Sequence, residues 1–216
     1  MGWNKRDRNW TGAHVVLISV TGATGYLGNV LMMQLAHADL PTRIVCRENT
    51  DLSNTLGSQT DIARVDFQNV TALGDAFKGS EFVLHVAGLV SIMPFMSKAL
   101  YTTNVQCTRN VLEACSKAGV KRLIYVSSIH AIPSPPGEIT IDERLRIDPA
   151  ACNTEYGKTK AKATIDVLRY GRDGNLECIA LCPTGIIGPY DHRVSNGTGN
   201  QDANQTGDRN LCLGSL

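Results

Sequence analysis

The segment that decides the fold is VVLISVTGATGYLGNVLMMQLAHA, residues 15–38. Residues 15–20 are apolar and rich in β-branched side chains, which is typical of a buried strand. Residues 26–38 carry apolar side chains three and four positions apart, the spacing of an amphipathic helix. Three glycines with the spacing G-x-x-G-x-x-G lie where strand passes into helix, and they allow a tight turn and a close approach of the backbone to a pyrophosphate. The segment therefore predicts a strand, a phosphate-binding turn and a helix whose N-terminus offers free N–H groups.

The same alternation continues along the chain. Further short apolar runs predict strands over residues 43–46, 62–65, 82–86, 123–126 and 178–182. Further amphipathic segments predict helices over residues 70–77, 98–118 and 154–170. Gly119 and Gly171 follow two of these helices, where a left-handed cap is expected. Strand and helix in alternation predict a doubly wound α/β fold, a parallel sheet with helices on both faces.

Length and composition fit one domain with an appendage. The chain has 216 residues, 43% of them hydrophobic, and 21 Lys+Arg against 20 Asp+Glu give a net charge of +1. Such a balance leaves no overall field to attract nucleic acid or an anionic membrane. No run approaches the roughly 20 apolar residues of a membrane span. We therefore expect a cytoplasmic protein whose partner is a small-molecule substrate, and a homodimer is left open.

Three stretches interrupt the regular pattern. Residues 1–13 are polar and predict an N-terminal tail, and residues 191–216 are rich in Asn, Gly and Gln and predict a disordered tail. Between them, residues 14–190 form the predicted domain. Within that domain, residues 129–152 make a long connection with four prolines, which is a candidate binding loop.

The seven cysteines do not indicate a metal site or a disulfide framework. Their number is odd and no C-x-x-C pair occurs, so we expect reduced thiols. Cys178 and Cys182 share one face of a predicted strand, but two thiols alone are a weak metal site. We expect no bound metal.

Residues that follow the second and third strands indicate an adenosine site. Arg47 ends the second strand, where an acidic residue would accept from a ribose 2′-hydroxyl and an arginine would accommodate a 2′-phosphate. NADP is therefore preferred, although Glu48 and Asp51 follow closely and NAD stays open. Asp66, which precedes Phe67, is placed to bond the adenine amine, or else serves as a helix N-terminal acid.

Tyr156 and Lys160 stand one helical turn apart near the start of the last predicted helix. An ammonium beside a phenol favours the phenolate and lowers the tyrosine pKa, so the pair can transfer protons. Ser127 and Ser128 end a strand at the carboxyl edge of the predicted sheet, where ligands bind in such folds. A hydroxyl at that edge can hold a substrate carbonyl beside the tyrosine.

Taken in order, these motifs resemble the short-chain dehydrogenase/reductase superfamily. The resemblance is to its extended branch, which contains the NAD-dependent epimerases/dehydratases, dihydroflavonol reductases and 3β-hydroxysteroid dehydrogenases. The matching pieces are Thr21–Gly28, Asp66, His85–Gly88, Asn104–Leu112, Tyr125–Ser128, Tyr156–Lys160 and Pro183–Pro189. They cover about residues 14 to 190, and their order is more specific than any one motif. The resemblance implies a Rossmann-type three-layer fold and a nicotinamide cofactor.

The resemblance also implies a role for each matching residue. Tyr156 would be the general acid/base, Lys160 would bind the nicotinamide ribose and lower the tyrosine pKa, and Ser128 would polarise the substrate oxygen. Asn104 is a further catalytic candidate, with a structural role in its helix as the alternative. The pyrophosphate would be cradled by Gly22, Thr24, Gly25, Tyr26, Leu27 and Gly28. The remaining cofactor contacts implied are Arg47, Asp66, Phe67, Ala87, Gly88, Tyr156, Lys160, Pro183, Thr184, Gly185 and Ile186.

Some positions depart from the family pattern. Thr159 replaces the usual serine before the lysine, Thr164 the usual glutamate four residues after it, and Cys182 the usual arginine before the proline. Neither of the two threonine changes removes the proton chemistry, and the change to Cys182 is expected to alter contacts on the substrate or cofactor side. His85 is expected to be a packing residue and His130 an exposed one.

The sequence supports three functions. The first is an NAD(P)-dependent oxidoreductase that acts on a secondary alcohol or ketone of a small, fairly apolar molecule, which the isoleucines of the 129–152 loop favour. The second is a nucleotide-sugar epimerase or dehydratase, which shares the fold and the Tyr/Lys pair. The third is a cofactor-binding module without turnover, because relatives continue well past the position of Pro189 into a substrate-binding lobe.

Overall fold

The computed structural model describes residues 16–53, 55, 60–91, 96–133, 137, 140–174 and 176–188. The strands are β1 (Leu17–Thr21), β2 (Thr42–Cys46), β3 (Thr60–Arg64), β4 (Ser80–His85), β5 (Arg122–Val126) and β6 (Glu177–Leu181). The helices are α1 (Tyr26–His37), α2 (Val70–Phe77), α3 (Ser97–Tyr101), α4 (Cys107–Lys117) and α5 (Glu155–Arg172). The tails predicted over 1–13 and 191–216 lie outside the described residues.

The six strands form one parallel sheet in the order β3-β2-β1-β4-β5-β6. The chain builds outward from β1 to β3, returns to place β4 on the other side of β1, and continues outward to β6. In such sheets, ligands bind at the carboxyl ends of the strands where the order reverses. That point lies between β1 and β4. The predicted doubly wound, Rossmann-type fold is confirmed.

The core lies on both faces of the sheet, as three layers require. Neighbouring residues of β2 show this, because successive side chains of a strand point to opposite faces. Ile44 packs with Met32 of α1 in one buried cluster. Val45 packs with Leu73 of α2 and Val111 of α4 in the other, to which α5 also contributes.

One predicted helix is interrupted. Residues 98–118 were predicted as one helix, but a π-helical turn at Thr102–Gln106 separates α3 from α4. The prediction of a continuous helix was wrong because apolar spacing does not distinguish one π turn from the α-helical turns around it. Such turns often occur at functional sites. This one buries Asn104 and Val105.

One of the two predicted helix caps is correct. Gly119 follows α4 with a φ of 73°. The prediction for Gly171 was wrong, since α5 extends to Arg172 and Gly174 adopts the left-handed conformation with a φ of 85°. Gly171 instead faces β6, where a Cβ on it would lie 3.0 Å from Cβ of Cys178. Its small size allows the helix to lie close to the strand.

The long connection from β5 to α5 is anchored at both ends. Short 3₁₀ turns occupy Ile129–Ala131 and Pro149–Ala151. Ala131 and Cys152 pack together with Ala161 of α5 in a small buried cluster. Residues 134–136 and 138–139 of this predicted binding loop lie outside the described residues.

Candidate active site

The glycine turn joins β1 to α1 and contacts the loop after β4. Gly22 has a φ of 77°, and a Cβ on it would lie 2.5 Å from the backbone nitrogen of Ala87. A Cβ on Gly28 would overlap the carbonyl oxygen of Gly22. Gly25 is the N-cap of α1, and no described side chain caps this helix. The dipole of a helix favours an anionic group at an N-terminus of this kind.

The segment after β6 comes back over this turn. A Cβ on Gly188 would lie 2.5 Å from the hydroxyl oxygen of Tyr26. The carbonyl of Pro183 accepts a hydrogen bond of 2.9 Å from the backbone N–H of Ile129. Of the other residues predicted for this part of the site, Leu27 and Ile186 are half-buried, and Thr24, Thr184 and Gly185 are exposed.

Lys160 is buried at the carboxyl end of β5. It is 4% exposed, and its Nζ donates to the carbonyl of Val126 at 2.8 Å and to the hydroxyl of Tyr125 at 3.3 Å. Gly88 borders the ammonium, because a Cβ on it would lie 3.2 Å from Nζ. Burial lowers the pKa of Lys160 from 10.5 to about 8, and the Cys182 thiol acts in the opposite direction. The charged form is therefore still the main one at pH 7.

Tyr156 lies one turn before Lys160 and contacts the end of β5. Its ring meets the exposed His130 edge-on, with 6.0 Å between ring centroids. Burial raises the pKa of Tyr156, and a hydrogen bond with Ser128 lowers it in part. The structure thus brings together Ser128, Tyr156 and Lys160, the three residues predicted for proton chemistry.

The direction of the Tyr156 pKa differs from the expectation. We predicted that the Lys160 ammonium lowers it, but desolvation dominates and raises it. The ammonium is turned to Val126 and Tyr125 of the neighbouring strand, so it is not bonded to the phenol. In the protein without ligand, Tyr156 therefore keeps its proton at neutral pH.

Asn104 is engaged in structural bonds. Its Nδ2 donates to the carbonyl of Leu89 at 2.9 Å and to Oγ1 of Thr159 at 3.1 Å, while its Oδ1 accepts from the N–H of Leu89 at 2.8 Å. Thr159 in turn donates to the carbonyl of Tyr156 at 2.8 Å. The amide thus ties the loop after β4 to the turn of α5 that carries Tyr156, which fits the structural alternative, and the catalytic role of Asn104 stays a prediction.

His85 is fully buried and uncharged. Burial is the larger cause that lowers the pKa of His85 to about 3, and the charge of Lys160 is the smaller one. Its Nδ1 lies 2.7 Å from Oγ1 of Thr21, and its Nε2 lies 3.0 Å from Oγ1 of Thr108. Its ring stacks on Tyr125 with 5.5 Å between centroids. The expected packing role fits these contacts.

The residues predicted for adenosine lie at the ends of β2 and β3. Arg47 is exposed, and Asp66 bonds the N–H of Gln68 through Oδ1 at 2.9 Å. Asp66 is not the cap of α2, because Asn69 fills that position by accepting from the N–H of Ala72 at 3.0 Å. Phe67 is half-buried and packs against the core, so the backbone at this point is fixed.

Sequence reasoning missed an arginine that shapes this end of the site. Nη1 of Arg64 donates to the carbonyls of Glu48 at 2.6 Å and Thr50 at 2.9 Å, and it also reaches the carbonyl of Arg47 at 3.5 Å. The turn that carries Arg47 is thus held by a neighbouring strand. The only sequence signal was the position of an arginine at the end of a predicted strand.

A second missed feature is a hydroxyl pair beneath the site. Oγ of Ser127 and Oγ1 of Thr164 lie 2.6 Å apart, both buried, and Thr164 donates to the carbonyl of Lys160 at 2.7 Å. The pair links the end of β5 to the turn of α5 that carries Lys160. The departure from the family pattern at Thr164 was the signal that could have found it.

The described ranges contain no group of three or more His, Cys, Asp or Glu side chains placed to hold a metal ion. Among these same residues, no helix has the length and apolarity needed to cross a bilayer.

Known proteins resemble this chain over most of its length. The model of the 3-beta hydroxysteroid dehydrogenase/isomerase family matches residues 19–210. Sterol demethylase protein B of Methylococcus capsulatus is 32% identical over 176 residues, which cover 82% of this chain and 53% of that protein. The 3beta-hydroxysteroid-dehydrogenase/decarboxylase isoform 1 of Arabidopsis thaliana is 34% identical over 187 residues, covering 80% of this chain and 42% of that protein.

A solved structure shares the fold. MoeE5 in complex with UDP-glucuronic acid and NAD is 27% identical, with a TM-score of 0.63, and the match covers 76% of this chain and 53% of that one. The chain thus spans about half the length of the proteins it matches.

Proposed function

The chain belongs to the 3-beta hydroxysteroid dehydrogenase/isomerase family, and from that premise we propose that it is an NADP-preferring oxidoreductase. The reaction is the transfer of hydride between the nicotinamide and a secondary alcohol or ketone of a small, fairly apolar molecule. The observation that carries the proposal is the placement of Ser128, Tyr156 and the buried Lys160 ammonium at the sheet edge that also holds the glycine turn.

The residues at this edge fit a dinucleotide. The turn at Gly22 and Gly28 has no room for a Cβ, and the N-terminus of α1 has no side-chain cap, so a pyrophosphate could approach the backbone at the positive end of the helix dipole. Ala87 and Gly88 would line the ribose side, and Pro183 to Ile186 would cover the nicotinamide. When bound, the cofactor supplies or accepts the hydride, which no side chain can do.

The chain's own groups would handle the proton. Burial keeps the Tyr156 hydroxyl protonated at neutral pH, so in a reduction it can give its proton to the substrate oxygen. Ser128 lies within hydrogen-bonding reach of Tyr156 and would donate to the same oxygen. Lys160 would bind the nicotinamide ribose with the N–H that faces Gly88. No charged side chain has to move for these roles.

The NADP preference rests on Arg47. Its side chain is exposed at the carboxyl end of β2, where a 2′-phosphate would sit, and Arg64 holds the turn that carries it. Asp66 would bond the adenine amine. A cytoplasmic location and residues 14–190 as the folded unit remain parts of the proposal.

One observation favours an alternative. MoeE5, which is similar to this chain, was solved with a UDP-sugar and NAD, which favours a nucleotide-sugar epimerase or dehydratase. A cofactor-binding module without turnover is the third function to be tested. The substrate class and the activity itself therefore need direct tests.

Fluorescence titration with NADPH and NADH tests the cofactor. We expect both to bind, NADPH more tightly, and we expect Arg47→Ala to remove the difference without abolishing NADH binding. Binding of neither nucleotide contradicts both enzyme hypotheses. Equal affinities in the wild type contradict the role of Arg47.

Turnover assays then test the chemistry. A panel of apolar ketones and UDP-sugars is offered to the wild type, to Tyr156→Phe and to the control Tyr101→Phe, whose tyrosine is exposed at the end of α3. We expect ketone reduction by the wild type and the control, and its loss in Tyr156→Phe with NADPH binding retained. Conversion of UDP-sugars alone favours the epimerase. Cofactor binding with no turnover in any variant favours the binding module.

A further inference from the structure

We propose that Tyr125, to which the function above gives no role, is a positioning residue that holds the Lys160 ammonium with both its ring face and its hydroxyl. The inference rests on the proposed function, because it concerns the lysine assigned there to the nicotinamide ribose. It adds a residue of β5 to a site otherwise described by α5 and the loops.

The geometry around Nζ supports this role. Nζ lies 4.8 Å from the centroid of the Tyr125 ring and 3.3 Å from its hydroxyl oxygen. The carbonyl of Val126 takes a second N–H at 2.8 Å. An ammonium has three N–H donors, and Nζ borders Gly88, so the third can face the place proposed for the ribose. Tyr125 and Val126 thus fix the direction in which the ammonium points.

The buried Lys160 ammonium needs partners that stabilise its charge. Lys160 is 4% exposed, so it has lost most of its water, and a buried ammonium without partners would release its proton. Hydrogen bonds to a charged donor are stronger than neutral ones, and an aromatic face attracts a desolvated cation. Tyr125 supplies both interactions from one side chain.

Tyr125 is itself held in place. It is fully buried, its ring stacks on His85, and its hydroxyl is bonded to the side chains of Thr108 and Ser127. Burial raises the pKa of its phenol, so the hydroxyl stays neutral and accepts from the ammonium. The uncharged state of His85 is part of this arrangement, because a second cation there would repel Lys160.

The His85 contacts also give its tautomer. Oγ1 of Thr108 donates its proton to the carbonyl of Asn104 at 2.8 Å, so it accepts from Nε2–H of His85. Nδ1 of His85 then accepts from the hydroxyl of Thr21. A continuous set of hydrogen bonds therefore runs from Thr21, at the start of the glycine turn, through His85 and Thr108 to the carbonyl of Asn104.

Titratable groups of three other elements interact with Lys160. They are Tyr125 of β5, His85 of β4 and Cys182 of the segment after β6, and Tyr156 lies one turn away on α5 itself. A change in the pKa of Lys160 can be assigned to Tyr125 only if a variant removes the Tyr125 hydroxyl and leaves the other titratable groups intact. Tyr125→Phe does this and retains the ring.

The test is an NMR titration of the cofactor-free protein with ¹³C-labelled lysine. We expect the Lys160 midpoint to fall by about one pH unit in Tyr125→Phe, because the charged form loses an acceptor. Tyr101→Phe is the matched control, since the ring of Tyr101 lies under another lysine, Lys162, at 5.6 Å. Its Lys160 midpoint should be that of the wild type.

A second measurement needs no variant. The ring of Tyr125 should shift the Cε protons of Lys160 upfield of those of the other lysines in the wild type. An unshifted Cε signal, or a Lys160 midpoint unchanged by Tyr125→Phe, overturns the proposal. An equal fall in Tyr101→Phe also overturns it. None of these readouts uses cofactor or turnover, so their failure is distinct from failure of the proposed function.

Discussion

The substitution Gly22→Ala tests the close contact on which the site is built. In the wild type, Gly22 adopts a φ of 77°, and a Cβ on it would lie 2.5 and 2.6 Å from the backbone N and Cα of Ala87. Gly119 has almost the same backbone conformation, with a φ of 73°, but nothing lies within 4 Å of the Cβ position. The pair therefore separates the conformational effect of a Cβ from its steric effect.

The expected magnitudes follow from that difference. An L side chain in the left-handed region costs about 1–2 kcal/mol, and the loss of unfolded-chain freedom on Gly→Ala offsets about 0.4–1 kcal/mol of it. Gly119→Ala should thus lose about 1 kcal/mol of stability. Gly22→Ala adds overlap with backbone atoms, which overpacking data place at about 1–3 kcal/mol more. Its total loss should be about 2–4 kcal/mol.

Urea unfolding at 25 °C, followed by far-UV circular dichroism, measures both variants. The two m-values should match that of the wild type, so that the midpoints report stability alone. Gly22→Ala should also weaken nucleotide binding, because the loop at Ala87 has to move. A loss of stability in Gly22→Ala no larger than in Gly119→Ala refutes the contact between the glycine turn and the loop after β4.

Three further predictions concern the side chains around the site. Thr164→Val removes the hydrogen bond between Ser127 and α5 and should destabilise the fold by about 0.5–1.5 kcal/mol in urea unfolding, whereas Thr164→Ser keeps the hydroxyl and should lose less. The pKa of Lys160 is about 8 in the folded protein instead of 10.5, so the folded protein binds fewer protons than the unfolded chain between these pH values. Wild-type stability relative to Lys160→Met should therefore rise by about 2 kcal/mol from pH 8 to 10. A flat difference over that range contradicts the buried ammonium. Arg64→Met frees the turn at Arg47 and should weaken NADPH binding about fivefold in a fluorescence titration, the equivalent of one hydrogen bond, with little effect on NADH.

Much of the fold could be predicted from the sequence because its signals are local. Each strand and helix of a doubly wound domain has its own hydrophobic period, and the six predicted strands appear in the structure with ends shifted by at most two residues. The short-chain dehydrogenase/reductase resemblance, which rests on motifs at strand ends, is confirmed by the family match. The structure brings these motifs to one edge because parallel strands all end there.

Side-chain partners could not be predicted in the same way. The amide of Asn104 bonds Leu89 and Thr159, which are 15 and 55 residues away in the chain, and nothing local in the sequence indicates either contact. The π-helical turn that contains Asn104 does not change the spacing of apolar residues enough to be recognised in the sequence. Gly171 resembled a cap because it follows a predicted helix end, whereas its contact with Cys178 depends on how α5 lies on β6.

The proton chemistry shows the same limit. Tyr156 and Lys160 are neighbours on a helix, and that spacing alone predicted a lowered tyrosine pKa. The direction in which the Lys160 ammonium points depends on β5, because Val126 and Tyr125 of this strand accept its hydrogen bonds. Tyr125 and Ser127 are two residues apart, so their side chains point to the same face of the sheet. This spacing was the sequence signal from which a contact of both residues with α5 could have been predicted.

The central claim is that one edge of the sheet binds a dinucleotide and presents its nicotinamide end to Tyr156. A crystal structure of the chain with NADPH tests this most directly. We predict the pyrophosphate at the N-terminus of α1, the 2′-phosphate beside Arg47, and the nicotinamide ribose on Nζ of Lys160. NADPH bound away from the glycine turn, or with its nicotinamide remote from Lys160 and Tyr156, would contradict the account.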